Sequence, residues 1–415
     1  MAGANRTTQE DLLRLRYQAR LRVQFNLRSI LLQYLTRNST DYAEGKAIVL
    51  TLHRGQGSGY RWSSAGALPV PGHQKVKNAT FNYKRLYQTI EIDGAHVEGG
   101  DDVPAAAIAR PYELEINSLV KQHRQHLNYD LFSDGSGKVA GITSAASATT
   151  FVVDEIRGLV DGMLVDVLVA ATGATGAGVL NAEITVNRAT KTVTMTAPMQ
   201  FADGTGATVN AAPTTYNVYR AGSYMDGIFG LDAVIATGNP PAALGFYGGI
   251  DRTLPGNEFW QGNVFANGGT ARECTFPLIQ EAIDEVDIHS NGETNLILCG
   301  HGVFRKLMND LIQQRRADNA KTTLNGWAEA INHIPGVPIV RDKHCPSDAM
   351  YGLDTSQWEL YQNNEGAWMD KDGAVLARVE GFHKYRAAWF RFMQPVCQAP
   401  NTQWKLTDLE VPIAA

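Results

Sequence analysis

Residues 46–93 read as a β excursion that leaves and returns around a polar, glycine-rich tip, with little apolar mass of its own. Ala47-Ile48-Val49-Leu50-Thr51-Leu52 is a strand, and Arg54-Gly55-Gln56-Gly57-Ser58-Gly59-Tyr60-Arg61-Trp62 forms the tip. The return runs from Val76 to Ile92, alternating in Ala79-Thr80-Phe81-Asn82-Tyr83 and again in Gln88-Thr89-Ile90-Glu91-Ile92. A loop longer than about 12–15 residues with no structure of its own is uncommon inside a compact domain. Such an excursion is sensible where its far end packs on something outside it, and another copy of the chain is the simplest such surface.

The segment before it is basic. Residues 1–40 carry seven arginines (Arg6, Arg14, Arg16, Arg20, Arg22, Arg28, Arg37) against Glu10 and Asp11, a local +5 in a chain of net charge −5. Leu12, Leu13, Leu15, Leu27, Ile30, Leu31 and Leu35 interleave with them, which predicts a basic amphipathic arm of one or two helices. The arginines break the first apolar run, so no signal peptide is expected. No run reaches 18 consecutive apolar residues, so no membrane span is expected either. The overall negative charge argues against a chain whose main task is gripping nucleic acid, because neutralising phosphates takes a basic surface.

Beyond the excursion the pattern changes three times. Residues 111–132 predict a helix: Pro111 suits its first turn, and Ile116, Leu119, Val120, His123, Leu127 and Leu131 share one face. Asp134-Gly135-Ser136-Gly137 ends it. Residues 138–222 hold no His, Trp or Cys and carry short alternating strands, among them Phe151-Val152-Val153, Met163 to Val169, Glu183 to Val186 and Thr192 to Thr196. This spacing predicts a small β-barrel or sandwich, inserted between elements that join better directly. After a glycine-rich stretch, Phe276 to Val340 alternates helix and strand, and strands return between Met350 and Phe392.

A search for chemistry finds no complete site. Gly135-Ser136-Gly137-Lys138 lacks the earlier Gly and the following Ser or Thr of a phosphate loop, and it follows a helix instead of opening one. Cys299-Gly300-His301 places a thiol near an imidazole at a strand end, but no acid or amide is placed to orient the His. Cys274, Cys299, Cys345 and Cys397 form no CxxC pair and read as reduced, buried thiols. His333 and His344-Cys345 lack metal-ligand partners. Asp370-Lys371-Asp372-Gly373 lacks the later acids of a calcium loop. No catalytic, metal or cofactor residue is expected.

The order of these pieces resembles the major capsid proteins of tailed bacteriophages, with the Hong Kong 97-type fold. Arg54 to Trp62, Leu68-Pro69, Val76 and Tyr83 to Ile92 are similar to that family's extended loop. Pro111 to Phe132 with its glycine-rich exit resembles the spine helix. Gly336-Val337-Pro338-Ile339-Val340 followed by Met350-Tyr351-Gly352-Leu353-Asp354 resembles the axial domain. Trp368-Met369-Asp370, Val379 and Cys397-Gln398-Ala399-Pro400 resemble the closing strands. Arg157-Gly158-Leu159 and Gly162 to Asp166 look like the extra β-barrel that some coat proteins carry.

The resemblance implies an α+β fold with an N-terminal arm (1–45), extended β loop (46–93), peripheral domain with spine helix (94–137), inserted β-barrel (138–222), peripheral strands and loops (223–274), axial α/β domain (275–355) and a return to the peripheral domain with a tail (356–415). It implies a structural subunit, not an enzyme, in hexamers and pentamers of an icosahedral phage head around double-stranded DNA held non-specifically. Its further partners would be a portal and scaffolding or decoration proteins, with no membrane and no cofactor. The expected place is the virion, assembled in the bacterial cytoplasm. Inter-subunit contact is expected at Arg14, Arg16, Arg20, Arg22, Arg54, Tyr60, Arg61, Trp62 and Leu68. The alternatives are an encapsulin-like compartment of the same fold and a Cys/His-dependent enzyme built on Cys299 and His301.

Overall fold

The computed structural model describes residues 30–38, 47–55, 59–62, 66, 68, 70, 72–94, 119, 122–145, 147, 149–170, 172–174, 178–197, 216–290, 292–318, 330–334, 337–363, 366–370, 375 and 377–411. Arg6 to Arg28 of the basic arm, most of residues 111–121 and Lys371 to Gly373 lie outside the described residues. The chain forms two units: residues 1–45, 83–131 and 359–396, and residues 46–82, 132–358 and 397–415.

The first unit is built on a long strand, Lys384–Cys397, against which Lys84–Asp93 pairs antiparallel over its full length, from Lys384↔Asp93 to Met393↔Lys84. Alternation places Ile90 and Ile92 on one face and Arg85, Tyr87 and Glu91 on the other. The buried face packs with Leu119, Trp368, Ala387 and Trp389 into a core. Residues 122–130 are helical, and His123 meets the Trp389 ring edge-on with centroids 4.2 Å apart. On the solvent face Glu91 accepts from Lys384 Nζ at 2.7 Å and Arg386 Nη2 at 3.0 Å. Hydrogen bonds from those two cations hold its carboxyl below the ordinary range. Short strands Trp358–Gln362, Ala367–Trp368 and Ala377–Arg378 line the other edge of Lys384–Cys397, and Thr36–Asn38 adds parallel to Trp358–Gln362.

The sequence reading placed Gln88 to Ile92 inside the extended loop. The structure instead separates them from the loop: the hairpin ends at Phe81, and Lys84–Asp93 belongs to this sheet. The physical reason is that its inward residues are the apolar partners of Ala387 and Trp389, nearly 300 positions away, which no local pattern reveals.

In the second unit, six strands close into a barrel in the order Tyr216–Arg220, Lys138–Ala145, Thr150–Val153, Thr192–Met195, Ala182–Asn187, Leu164–Val169 and back to Tyr216–Arg220. Ile142, Phe151, Val153, Val165, Val167, Ile184, Val193, Met195 and Val218 are all buried. Closure leaves no unpaired edge. The turn Arg188–Lys191 is capped by Asn187 Oδ1, which accepts from the Ala189 N–H at 3.1 Å. Asp166 ties barrel ends together, accepting from the Asn181 N–H at 2.8 Å and the Gly222 N–H at 2.7 Å.

The same unit holds a six-stranded sheet in the order Asn263–Phe265, Trp404–Leu406, Met350–Leu353, Leu296–Cys299, Val337–Arg341, Ala330–Ile334. Leu296–Cys299 is buried throughout, as its unbroken apolar run predicts. Helices Phe276–Ser290 and His301–Asp318 share a core with Ile297, Cys299, Ile339, Met350, Trp404 and Leu406. Sequence reading had kept 223–274 and 356–415 apart from this α/β region. Asn263–Phe265 and Trp404–Leu406 nevertheless pair into its sheet, because Trp404 fills the space above Gly352 and its indole N–H reaches Thr294 Oγ1 at 3.0 Å.

Candidate assembly surface

The hairpin Ile48–Gly55 with Lys75–Phe81 is the candidate site, since it holds every described contact residue that the sequence singles out. Its register runs from Ile48↔Phe81 to Gly55↔Lys75. Full burial is confined to one face at one end, at Ile48, Ala79 and Phe81, while Val49 on the other face and Val76 nearer the tip are more than half exposed. Phe81 meets Tyr247 edge-on at 4.9 Å, and Tyr247 in turn stacks on Trp260 at 5.4 Å and meets Phe229 at 5.5 Å. Burying a Phe side chain stabilises by about 1.5–3 kcal/mol, so this aromatic cluster anchors the base. An isolated two-stranded hairpin is marginal in water.

Beneath the cluster lies Arg252, fully buried. Its guanidinium donates to the carbonyls of Ala233 at 2.8 Å, Gly238 at 3.0 Å and Val234 at 2.9 Å, and it sits 5.1 Å from the Tyr247 ring centroid. Burial lowers its pKa to about 10, so it remains a cation at neutral pH. This arginine is structural: it satisfies carbonyls of a glycine-rich segment that forms no ladder of its own.

The sequence-selected residues fall into three groups. Arg14, Arg16, Arg20 and Arg22 lie outside the described residues. Arg54 packs within its own unit, 5.9 Å from the Phe259 ring centroid. A slot at Gly256 admits it: the backbone there has φ +82°, and a Cβ would stand 1.9 Å from Arg54 Nη2. Tyr60, Arg61, Trp62 and Leu68 are exposed, the two aromatic rings 6.3 Å apart and edge-on. Tyr60 is 83 % exposed, Trp62 88 % and Leu68 89 %, and Val70, which sequence reading passed over, is 83 % exposed. Sequence reasoning also missed the anchor, Tyr247, Trp260 and Arg252, whose only local signal was the density of glycines around them.

The chemical candidates dissolve. Cys299 is buried in the helix–sheet core, its Sγ 3.8 Å from the Val340 carbonyl, and burial pushes its thiol pKa well up. His301 sits exposed at the start of the following helix. A thiol held neutral is no nucleophile. At Gly135-Ser136-Gly137 the Ser136 hydroxyl and N–H both bond to Asp134 Oδ1, at 2.5 and 2.9 Å, so the run is a self-satisfied turn. Among the described residues no group of three or more His, Cys, Asp and Glu is placed to hold a metal ion. No described helix is long and apolar enough to cross a membrane.

No family model and no curated protein matches the sequence. Solved structures do match. The Cyanophage A-1(L) capsid aligns over 92 % of this chain and 93 % of its own, with a TM-score of 0.54 at 14 % identity. The chain has the Hong Kong 97-type capsid fold. Other capsid-fold structures align at lower scores: Mycobacterium phage Che8, over 92 % of each chain with a TM-score of 0.46 at 8 % identity, and the SrpI encapsulin of Synechococcus elongatus, over 93 % and 89 % with a TM-score of 0.42 at 8 % identity.

Proposed function

We propose that the chain is a major capsid protein, a structural subunit with no catalytic role that assembles with copies of itself into hexamers and pentamers of a closed phage head. The observation that carries this reading is the fold match over 92 % of the chain to a phage capsid structure. The hairpin supports it independently: its base is bolted to its own unit and its far end presents Tyr60, Trp62 and Leu68 to solvent. Each contact between copies is weak, but many of them in a closed lattice sum to a stable shell. Net charge −5 suits a container for double-stranded DNA that does not hold it tightly. In this reading the partners are further copies, a portal, scaffolding or decoration proteins, and the packaged DNA, and the place is the virion.

Negative-stain microscopy of the purified protein tests the proposal. Closed shells are expected, and small monodisperse particles under all assembly conditions overturn it. An encapsulin-like compartment would give shells too, filled with a protein cargo instead of DNA.

A further inference from the structure

The two helices of the α/β sheet carry opposite charge. Phe276–Ser290 has four acids, Glu281, Asp284, Glu285 and Asp287, and no Lys or Arg. His301–Asp318 has four Lys or Arg against two acids. The apolar sides of both pack into the same core. They do so over different strands: the acidic helix against Trp404–Leu406, the basic one against Val337–Arg341. Those strands are separated by two others, so the charges sit towards opposite edges of the sheet.

The outward faces are exposed among the described residues. On the acidic helix Glu281, Asp284, Glu285, Asp287 and Ile288 face solvent. Gln280 donates to Asp284 at 2.6 Å, and His289 lies 2.9 Å from Glu285. Ile288 is 74 % exposed. On the other flank Arg305, Met308 and Lys343 are exposed, and Arg341 lies 5.5 Å from the Phe304 ring centroid. Lys306 bridges Glu273 at 2.5 Å and Asp310 at 3.2 Å, a cluster of one cation and two acids, and Asp342 is buried; Arg305, Arg341 and Lys343 outweigh that cluster and keep this surface positive. The positive field is felt locally: after burial, Arg341 and Arg305 hold His301 below its ordinary pKa.

We propose that the acidic helix face around Glu281, Asp284 and Ile288 docks on the basic face around Arg305, Met308 and Lys343 of a second copy. The contact is head-to-tail, and each copy offers one face of each kind. A head-to-tail contact that closes generates a ring. Ile288 and Met308 supply the apolar centre, and the charges supply orientation and reject the like-with-like pairings. This deepens the capsid reading by naming the surfaces that meet around a capsomer.

The test uses two full-length variants. One is Glu281→Lys/Asp284→Lys; the other is Arg305→Glu/Lys343→Glu. All four sites are exposed, and a melting temperature within a few degrees of the parent checks the fold. Each variant alone is expected to lose assembly at a concentration where the parent forms shells. The fourfold variant, with both faces reversed, is expected to regain it. Mixing the two double variants is expected to give alternating assemblies, which close around even-membered rings and not around five, so tubes or sheets replace closed shells. If both double variants form shells like the parent, this docking is wrong while the capsid reading stands. If the parent itself forms no shells, it is the capsid reading that fails.

Discussion

The Tyr247 hydroxyl and the Cys397 backbone exchange two hydrogen bonds: the hydroxyl donates to the Cys397 carbonyl at 3.2 Å and accepts from the Cys397 N–H at 2.9 Å. The two residues are 150 positions apart, and both are buried. Tyr247 also carries the ring on which Phe81 rests, so one side chain joins the hairpin base to the last segment of the chain.

Replacing Tyr247 by Phe keeps the ring and removes the hydroxyl. The buried Cys397 N–H then has no acceptor there, a loss of about 1–3 kcal/mol. Denaturant unfolding should show a lower midpoint with an unchanged slope. An unchanged midpoint would mean that the pair contributes nothing.

Gly366 runs beside Trp389 with φ +121°, and a Cβ there would stand 1.7 Å from the indole. Gly366→Ala therefore adds strain and overpacks the first unit, together about 2–4 kcal/mol. Trp389 fluorescence should shift as its ring is displaced from the core it shares with Ile90 and Ala387.

Tyr60→Ser/Trp62→Ser removes two rings that touch little of their own chain. Stability should change by less than about 0.5 kcal/mol, the usual range for exposed sites. If these rings contact a second copy, as the proposed function has it, shell yield by sedimentation should fall by at least about tenfold, since truncating a central interface aromatic costs about 1.4 kcal/mol or more. Shells at parental yield would remove the hairpin end from the list of contacts between copies.

His344 is buried, and desolvation, followed by the charges of Lys343, Arg157 and Arg220, lowers its pKa to about 3. Above pH 6.5 it is neutral both folded and unfolded, and its contribution is fully present. Between 6.5 and about 3 the unfolded chain binds a proton that the folded chain refuses, so stability falls with pH by up to about 1.4 kcal/mol per unit. Glu155, raised by burial, acts in the opposite sense as pH falls, and Glu91 and Asp251, held low by hydrogen bonds, act in the same sense. Comparing His344→Gln with the parent isolates one proton's worth of slope in that window. Parallel curves would contradict it.

All four thiols are buried, and burial raises each pKa, that of Cys274 to about 12. A disulfide reagent should react slowly with the native protein and release four equivalents in guanidinium. A fast native equivalent would point to an accessible thiol.

Much of the local structure was legible in residues. The alternation of 183–186 and 192–196 marked strands, and the apolar run 296–299 marked a buried one. These readings succeed because side-chain period and turn chemistry act within a few residues. The packing of Arg54 was not legible, since the slot that holds it is made by Gly256, two hundred positions away.

By itself, then, the sequence determined local elements: which of the described segments are strands, and where the two helices of the α/β region lie. Only the tertiary structure decided the partners. It took Lys84–Asp93 out of the loop and laid it along Lys384–Cys397, brought Trp404–Leu406 into the α/β sheet, and set an acidic and a basic helix towards opposite edges of that sheet. Strand pairing is a choice among many compatible edges, settled by which side chains fill one another's space, and that choice is non-local.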